Sequence, residues 1–190
     1  MSPDKFGGFF FLDYAFLYYL EILVILYKIV KIFIRVVKMI KNLGIDKIKE
    51  ILPHREPFLF VDEILEVEPG VSAVGKRTFT QSDFFFKGHF PDFPIVPGVI
   101  LIEFSAQVSA FIILLKDEYK NLFGYLTGVE TFRFVKKVEE NQTVIAKSKV
   151  LDFRHNIARS EVELFVFDAL VAKGVIKAFF VDKNSLGGAF

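Results

Sequence analysis

The feature that most constrains the fold is a run at residues 99–115 that contains no Gly, no Pro and one charged side chain. A run of 17 residues is long enough for an α-helix and too long for an ordinary strand. Its apolar side chains cover most faces of such a helix, so the fold has to bury it nearly all round. The rest of the chain must therefore supply a surface that curves around this helix.

Strand-like sequence makes up most of the remainder. Runs rich in β-branched and aromatic residues, in which apolar and polar positions nearly alternate, are typical of antiparallel strands with one covered face. We predict a short helix at 45–51, strands at 58–67 and 71–80, and a four-stranded meander at 125–135, 143–153, 157–167 and 170–181. Because a helix and a sheet can bury each other's apolar faces, these elements predict an α+β fold.

Composition excludes several classes of function. The absence of Cys removes disulfides, thiolate metal sites and a thiol nucleophile. The three His residues are scattered, so we expect no metal site. The 24 Lys and Arg residues nearly balance the 23 Asp and Glu residues, and this balance gives no argument for a nucleic acid partner.

Residues 1–42 differ from the rest of the chain, and we treat them as an N-terminal segment preceding a domain at 43–190. Asp13 and Glu21 interrupt its apolar sequence, which is unlike a secretory signal and leaves no charge-free run near the roughly 18 residues of a membrane span. We therefore expect a cytoplasmic protein. Basic residues recur every three or four positions in the second half, which predicts a basic amphipathic helix: Lys28, Lys31, Arg35, Lys38 and Lys41.

Three interpretations of this segment are open. The helix lies on an anionic bilayer and gives the protein a peripheral membrane contact. Alternatively, it packs on the core of the domain. In the third interpretation the segment is never translated, because Met39 is a workable initiator that leaves 152 of the 190 residues.

Glu103 is the one charged residue in the apolar run, and no Lys or Arg lies three or four residues away on either side. Burial of an unpaired carboxyl raises its pKa, and a carboxyl that stays protonated near pH 7 is a general acid. The alternative is a Glu that reaches solvent or pairs with a distant basic group.

The loop at 84–98 is rich in Phe, Gly and Pro. His89 lies in this loop, and a ring held among phenylalanines is expected to stay neutral and able to take up a proton. Pro97 has no N–H, so Gly98 offers the first free amide at the N-terminus of the helix, where the dipole favours negative charge. Each feature also has an ordinary structural interpretation, as a His in a turn and as the start of a helix.

Together, a base, an amide and an acid suit the removal of water from a β-hydroxy carbonyl compound. His89 would take the α-proton, the Gly98 N–H would stabilise the enolate-like oxygen, and Glu103 would protonate the departing hydroxyl. This chemistry requires no cofactor.

The same residues stand in a pattern that closely resembles the 3-hydroxyacyl-[acyl-carrier-protein] dehydratases of dissociated fatty acid synthesis. The resemblance covers roughly residues 43–183, and its motifs are LPHREPFLFVD at 52–62, Gly88-His89-Phe90-Pro91, Pro94, Pro97-Gly98-Val99 and Glu103. His89, Gly98 and Glu103 match the family's base, carbonyl-binding amide and acid. The sister dehydratase/isomerases have Asp as the acid, so Glu103 favours the simple dehydratase.

The resemblance implies a hotdog fold, in which an antiparallel sheet wraps the long helix. It also implies a homodimer, commonly assembled into hexamers, in which each site takes His89 from one subunit and Glu103 from the other. The implied partner is an acyl carrier protein. A basic patch could meet that acidic carrier, although the same residues equally suit ordinary surface: Lys87, Arg133, Lys136, Lys137 and Arg154. His54 and Arg55 also belong to the family pattern, and we interpret them as structural partners of the loop.

Two other functions are open at this point. One is a hotdog hydratase or thioesterase that acts on coenzyme A thioesters, although those families place their acids and histidines in other patterns. The other is a non-catalytic, membrane-associated acyl-binding protein, which the N-terminal helix alone supports. A binding module needs neither a base nor an acid, so His89 and Glu103 favour the dehydratase.

Overall fold

The computed structural model of the chain describes residues 8–37 and 39–188. Its helices are α1 (Gly8–Val37), α2 (Ile45–Ile51) and α3 (Gly98–Leu114), and its strands are β1 (Ile40–Leu43), β2 (Glu63–Glu68), β3 (Ser72–Phe79), β4 (Leu122–Phe134), β5 (Gln142–Arg154), β6 (Ile157–Val166) and β7 (Ala169–Asp182). Short 3-10 turns lie at Phe84–Lys87, Asp117–Tyr119 and Lys183–Gly188. Residues before 39 and residues from 39 onward form two separate compact units.

In the second unit, the strands form one antiparallel sheet in the order β1-β2-β3-β5-β6-β7-β4. Strands β5, β6 and β7 are consecutive hairpin neighbours, as the sequence predicts. The prediction that the first strand of the meander lies beside the second is wrong. Strand β4 pairs with β7, and β3 takes the place beside β5, so β4 lies at an edge of the sheet.

Helix α3 lies within the curve of this sheet and confirms the prediction of a helix buried nearly all round. Its side chains Phe104, Val108 and Phe111 are fully buried, and each contributes about 1.5–3 kcal/mol relative to an exposed position. Gly75 on β3 allows the close approach, because a Cβ there would lie 2.7 Å from Val108 Cγ2. The α+β prediction is confirmed by this arrangement.

Two predicted boundaries are corrected by hydrogen bonding. The predicted strand at 58–67 begins only at Glu63, because the Phe60 N–H donates to Gln107 Oε1 on α3 instead of to a neighbouring strand. The predicted amphipathic helix ends at Val37, and Ile40–Leu43 pair with β2 as strand β1. Lys41 therefore lies on a strand.

Helix α1 is 30 residues long and belongs to the first unit. All its side chains at 16–34 are exposed, although most of them are apolar. Lys38, the fourth residue of the predicted basic stripe, lies outside the described residues. Among the described helices, none is both long and apolar enough to cross a bilayer.

Candidate active site

His89 is placed by a network of charges that ties its loop to the sheet. Arg77 on β3 donates from Nη1 to Asp62 Oδ1 and from Nη2 to Asp83 Oδ1, both at 2.7 Å. The other Asp83 oxygen accepts from the Thr80 N–H at 2.8 Å. Asp83 precedes the 3-10 turn at Phe84–Lys87, which leads directly to His89. The network thus fixes where this loop leaves the sheet.

The His89 ring is held in one orientation and one tautomer. Its Nδ1 lies 3.1 Å from the Ile95 carbonyl oxygen, and because a carbonyl can only accept, Nδ1 carries the proton. The ring also stacks on Phe90 with 4.2 Å between centroids. In this tautomer Nε2 is the nitrogen left to accept a proton, as a general base must.

Gly98 is the first residue of α3, where a backbone N–H has no partner within the helix. It shares a cavity of about 340 Å³ with His89, whose wall includes Phe134, Lys136 and Lys137. A Cβ at Gly98 would lie 2.6 Å from Cζ of Phe134, so in this chain the missing side chain makes room for that ring. The base and the amide that the sequence predicts are thus brought together.

Glu103 lies on α3 in a second cavity, of about 330 Å³, together with His54 and Gln107. Gln107 Nε2 donates to Glu103 Oε1 at 2.9 Å, and His54 Nε2 lies 3.4 Å from the same oxygen. Gln107 is itself fixed, because it also donates to the Phe58 carbonyl at 2.9 Å and accepts from the Phe60 N–H at 2.8 Å. The carboxylate is therefore held by two side chains, His54 and Gln107, that the sequence analysis did not assign to the site.

The prediction that Glu103 is an unpaired buried carboxyl with a raised pKa is wrong, and the structure instead shows the alternative, pairing with a distant basic group. Desolvation is the largest single influence and does raise the pKa of Glu103. The hydrogen bonds from His54 and Gln107, with the charge of His54, together outweigh it and hold the pKa below its ordinary value of 4.5. The partner missing from the neighbouring helical positions is supplied by His54, far away in sequence.

His54 was predicted to support the loop, and the structure instead places it against the carboxyl group. Its Nδ1 is buried with no partner among the described residues, and its Nε2 contacts Glu103. Arg55 does act locally, donating to the carbonyls of Leu52, His54 and Lys49. The shared motif at 52–62 was the one sequence signal that could have pointed to His54.

The predicted basic patch is divided between different parts of the domain. Lys136 and Lys137 line the His89 cavity, and Lys87 lies two residues before His89. Arg133 instead opens onto a cavity with Glu161, Glu163 and Lys173, and Arg154 ends β5. Of the five predicted residues, Lys136 and Lys137 are therefore the ones that line the His89 cavity.

Replacing His54 with Ala is expected to raise the pKa of Glu103. The substitution removes a hydrogen bond and a charge that lower this pKa, and it leaves the desolvation that raises it. Carbon-detected NMR titration of the Glu103 carboxyl measures the shift. His155→Asn, at an exposed turn position, should leave the titration unchanged. An unaltered Glu103 titration in His54→Ala would show that the contact has no electrostatic effect.

Comparison with known proteins shows which proteins this chain is similar to. A sequence profile of the FabA-like domain matches residues 52–175. The 3-hydroxyacyl-[acyl-carrier-protein] dehydratase FabZ of Clostridioides difficile is 38% identical over 141 residues, which are 74% of this chain and 99% of that protein. The protein of the same name from Caldicellulosiruptor bescii is 39% identical over 131 residues, covering 69% of this chain and 94% of its own.

The fold is also found among solved structures. The dehydratase heterocomplex ApeI:P from Xenorhabdus doucetiae superposes with a TM-score of 0.62 over 73% of this chain and 93% of that one, at 17% identity. At this identity the likeness shows the fold alone, which is the hotdog fold that the family resemblance implies.

Proposed function

Because the chain belongs to the family of 3-hydroxyacyl-[acyl-carrier-protein] dehydratases, we propose that it converts 3-hydroxyacyl-[acyl-carrier-protein] to the trans-2-enoyl thioester in fatty acid biosynthesis. The observation that carries the proposal is the pairing of an imidazole, held by its contact with the Ile95 carbonyl, with a helix N-terminal amide in one cavity. A carboxyl group on the same helix supplies the acid. The enzyme is thus a lyase.

In the proposed mechanism, His89 Nε2 removes a proton from the carbon next to the thioester carbonyl. The Gly98 N–H donates to the carbonyl oxygen as negative charge develops there. The electron pair of the broken C–H bond forms the double bond while the C–O bond to the hydroxyl breaks. Glu103 gives its proton to that hydroxyl, which leaves as water.

We propose that each active site is assembled from two copies of the chain. His89 and Glu103 line separate cavities, so neither cavity holds both groups. Strand β4 is an edge strand with exposed apolar side chains, including Tyr125, Val129 and Phe134, and such an edge is a template for pairing with another chain. A homodimer joined along β4 follows the family resemblance, and its assembly into a hexamer is a prediction from that resemblance alone.

Assembly also bears on the protonation of Glu103. The proposed general acid must hold a proton, whereas the contacts within one chain lower its pKa. A second subunit and a bound acyl chain would exclude further water from the cavity, and desolvation raises the pKa of a carboxyl group. We therefore infer that Glu103 becomes a competent acid in the assembled, substrate-bound enzyme.

The substrate proposal is tested by incubating the purified protein with a 3-hydroxyacyl-carrier protein and, separately, with the same acyl group on coenzyme A. We expect mass spectrometry to show loss of water from the carrier-bound substrate, with a lower kcat/KM on coenzyme A. Preference for coenzyme A, or release of free acid, would favour the hydratase or thioesterase. Binding without any change in mass would instead indicate an acyl-binding protein.

A further inference from the structure

The charged residues of α1 all lie on one narrow stripe. At about 100° per residue, positions Asp13, Glu21, Lys28, Lys31 and Arg35 fall within a sector of roughly 80°. The stripe is acidic in the first half of the helix and basic in the second half. The helix therefore has one charged stripe along its length, and uncharged residues cover the rest of its circumference.

The remaining circumference is apolar, and its side chains at 16–34 are exposed. Ile22, Leu26, Ile29 and Phe33 lie opposite the charged stripe and are between 38% and 68% exposed. The whole sector outside the charged stripe spans about 280°, which is wider than an ordinary core-facing stripe. Lys31 Nζ lies 5.1 Å from the centre of the Tyr27 ring, which places a cation and an amphipathic aromatic ring together at the border of the stripe.

We propose that α1 lies along an anionic lipid surface, with the apolar face in the boundary between headgroups and acyl chains and the stripe of Lys28 and Lys31 among the phosphates. A wide apolar face beside a basic line is the chemistry that such a surface recognises. Lysine stems can cover apolar surface while their ammonium groups reach the headgroups. This inference is independent of the proposed catalytic function, since it concerns no residue of the candidate active site.

The charge contribution is tested with the full-length protein, whose intact mass of 21.8 kDa is checked first. Sedimentation with vesicles of phosphatidylcholine and phosphatidylglycerol should show binding that falls as salt is added and that is weaker on phosphatidylcholine alone. The double variant Lys28→Gln, Lys31→Gln should bind on the order of 30-fold more weakly, because each basic residue near an anionic surface contributes about a factor of five. Lys120→Gln with Lys149→Gln makes the same change in net charge on the domain and should bind normally.

The orientation of the helix is tested by a pair of substitutions at equally exposed positions. Leu26 is 50% exposed and lies on the apolar face, whereas Val24 is 51% exposed and lies within the charged stripe. We expect Leu26→Gln to weaken vesicle binding about tenfold or more and Val24→Gln to have little effect. The control readout is dehydration of carrier-bound substrate, which both variants should retain.

Four results would overturn the proposal. Equal effects of Leu26→Gln and Val24→Gln would show that no one face is used, and equal binding to neutral and anionic vesicles would remove the role of charge. Full-length protein that ignores vesicles would point to packing of α1 against protein. A 152-residue product beginning at Met39, found by intact-mass measurement of the protein from its native cells, would mean that the helix is not made.

Discussion

Replacing His89 with Ala or Glu103 with Gln is expected to lower kcat on the order of 10²–10⁴-fold while leaving the protein folded. His89 is only partly buried, and Glu103→Gln keeps the shape of the side chain. The loss follows from removing the atom that takes the α-proton or the group that protonates the hydroxyl. Steady-state kinetics on a carrier-bound substrate measure kcat, and circular dichroism reports the fold.

Two exposed positions provide controls for these variants. His155→Asn and Glu118→Gln make similar changes in chemistry away from both cavities and should keep normal turnover. A folded Glu103→Gln enzyme with near-normal kcat would remove Glu103 from the mechanism, and the same result for His89→Ala would remove the base.

The pH dependence of kcat/KM provides a second test of His89 as the base and Glu103 as the acid. The reaction requires neutral His89 and protonated Glu103, so the rate falls at low pH when His89 gains a proton and at high pH when Glu103 loses one. A bell-shaped profile gives two pKa values but does not show which value belongs to which group. Residual activity of Glu103→Gln should lack the Glu103 limb and so identify it. A profile that is flat from pH 5 to 9 contradicts proton transfer by this pair.

Mixing the two inactive variants should restore activity if each site is shared between subunits. In a dimer of one His89→Ala chain and one Glu103→Gln chain, one site keeps both functional groups and the other loses both. After complete exchange of an equal mixture, about a quarter of all sites should be intact, because half of the symmetric dimers are mixed. The assay is turnover before and after subunit exchange, with mixed dimers identified by native mass spectrometry.

The matched control for this experiment is exchange of each variant with itself, which should restore nothing. Mixed dimers that stay inactive would mean that His89 and Glu103 serve one subunit's site. In that case the His89 loop would have to move to bring His89 and Glu103 of one chain together. The ion pair of Arg77 with Asp83 holds this loop against β3.

Local sequence was sufficient to predict most of the helices and strands and to single out candidate site residues. The apolar run at 99–115 forms most of α3. A helix that is apolar on most faces is stable only where it is buried on most sides, and here the curved sheet buries it. The alternation of apolar and polar residues at 157–167 predicted a strand, and the structure forms β6 there. Alternation indicates which face of a strand is buried. His89 and Gly98 were identified by their local surroundings, and the structure places them in one cavity.

Only the tertiary structure determined which distant segments of the chain lie next to each other. Alternation specifies the buried face of a strand but not its neighbour, so nothing in the sequence placed β4 beside β7. The contact of His54 with Glu103 joins two positions 49 residues apart, and it reversed the predicted direction of the Glu103 pKa. A pKa depends on every charge and hydrogen bond within a few ångströms, and the path of the folded chain determines which groups come that close.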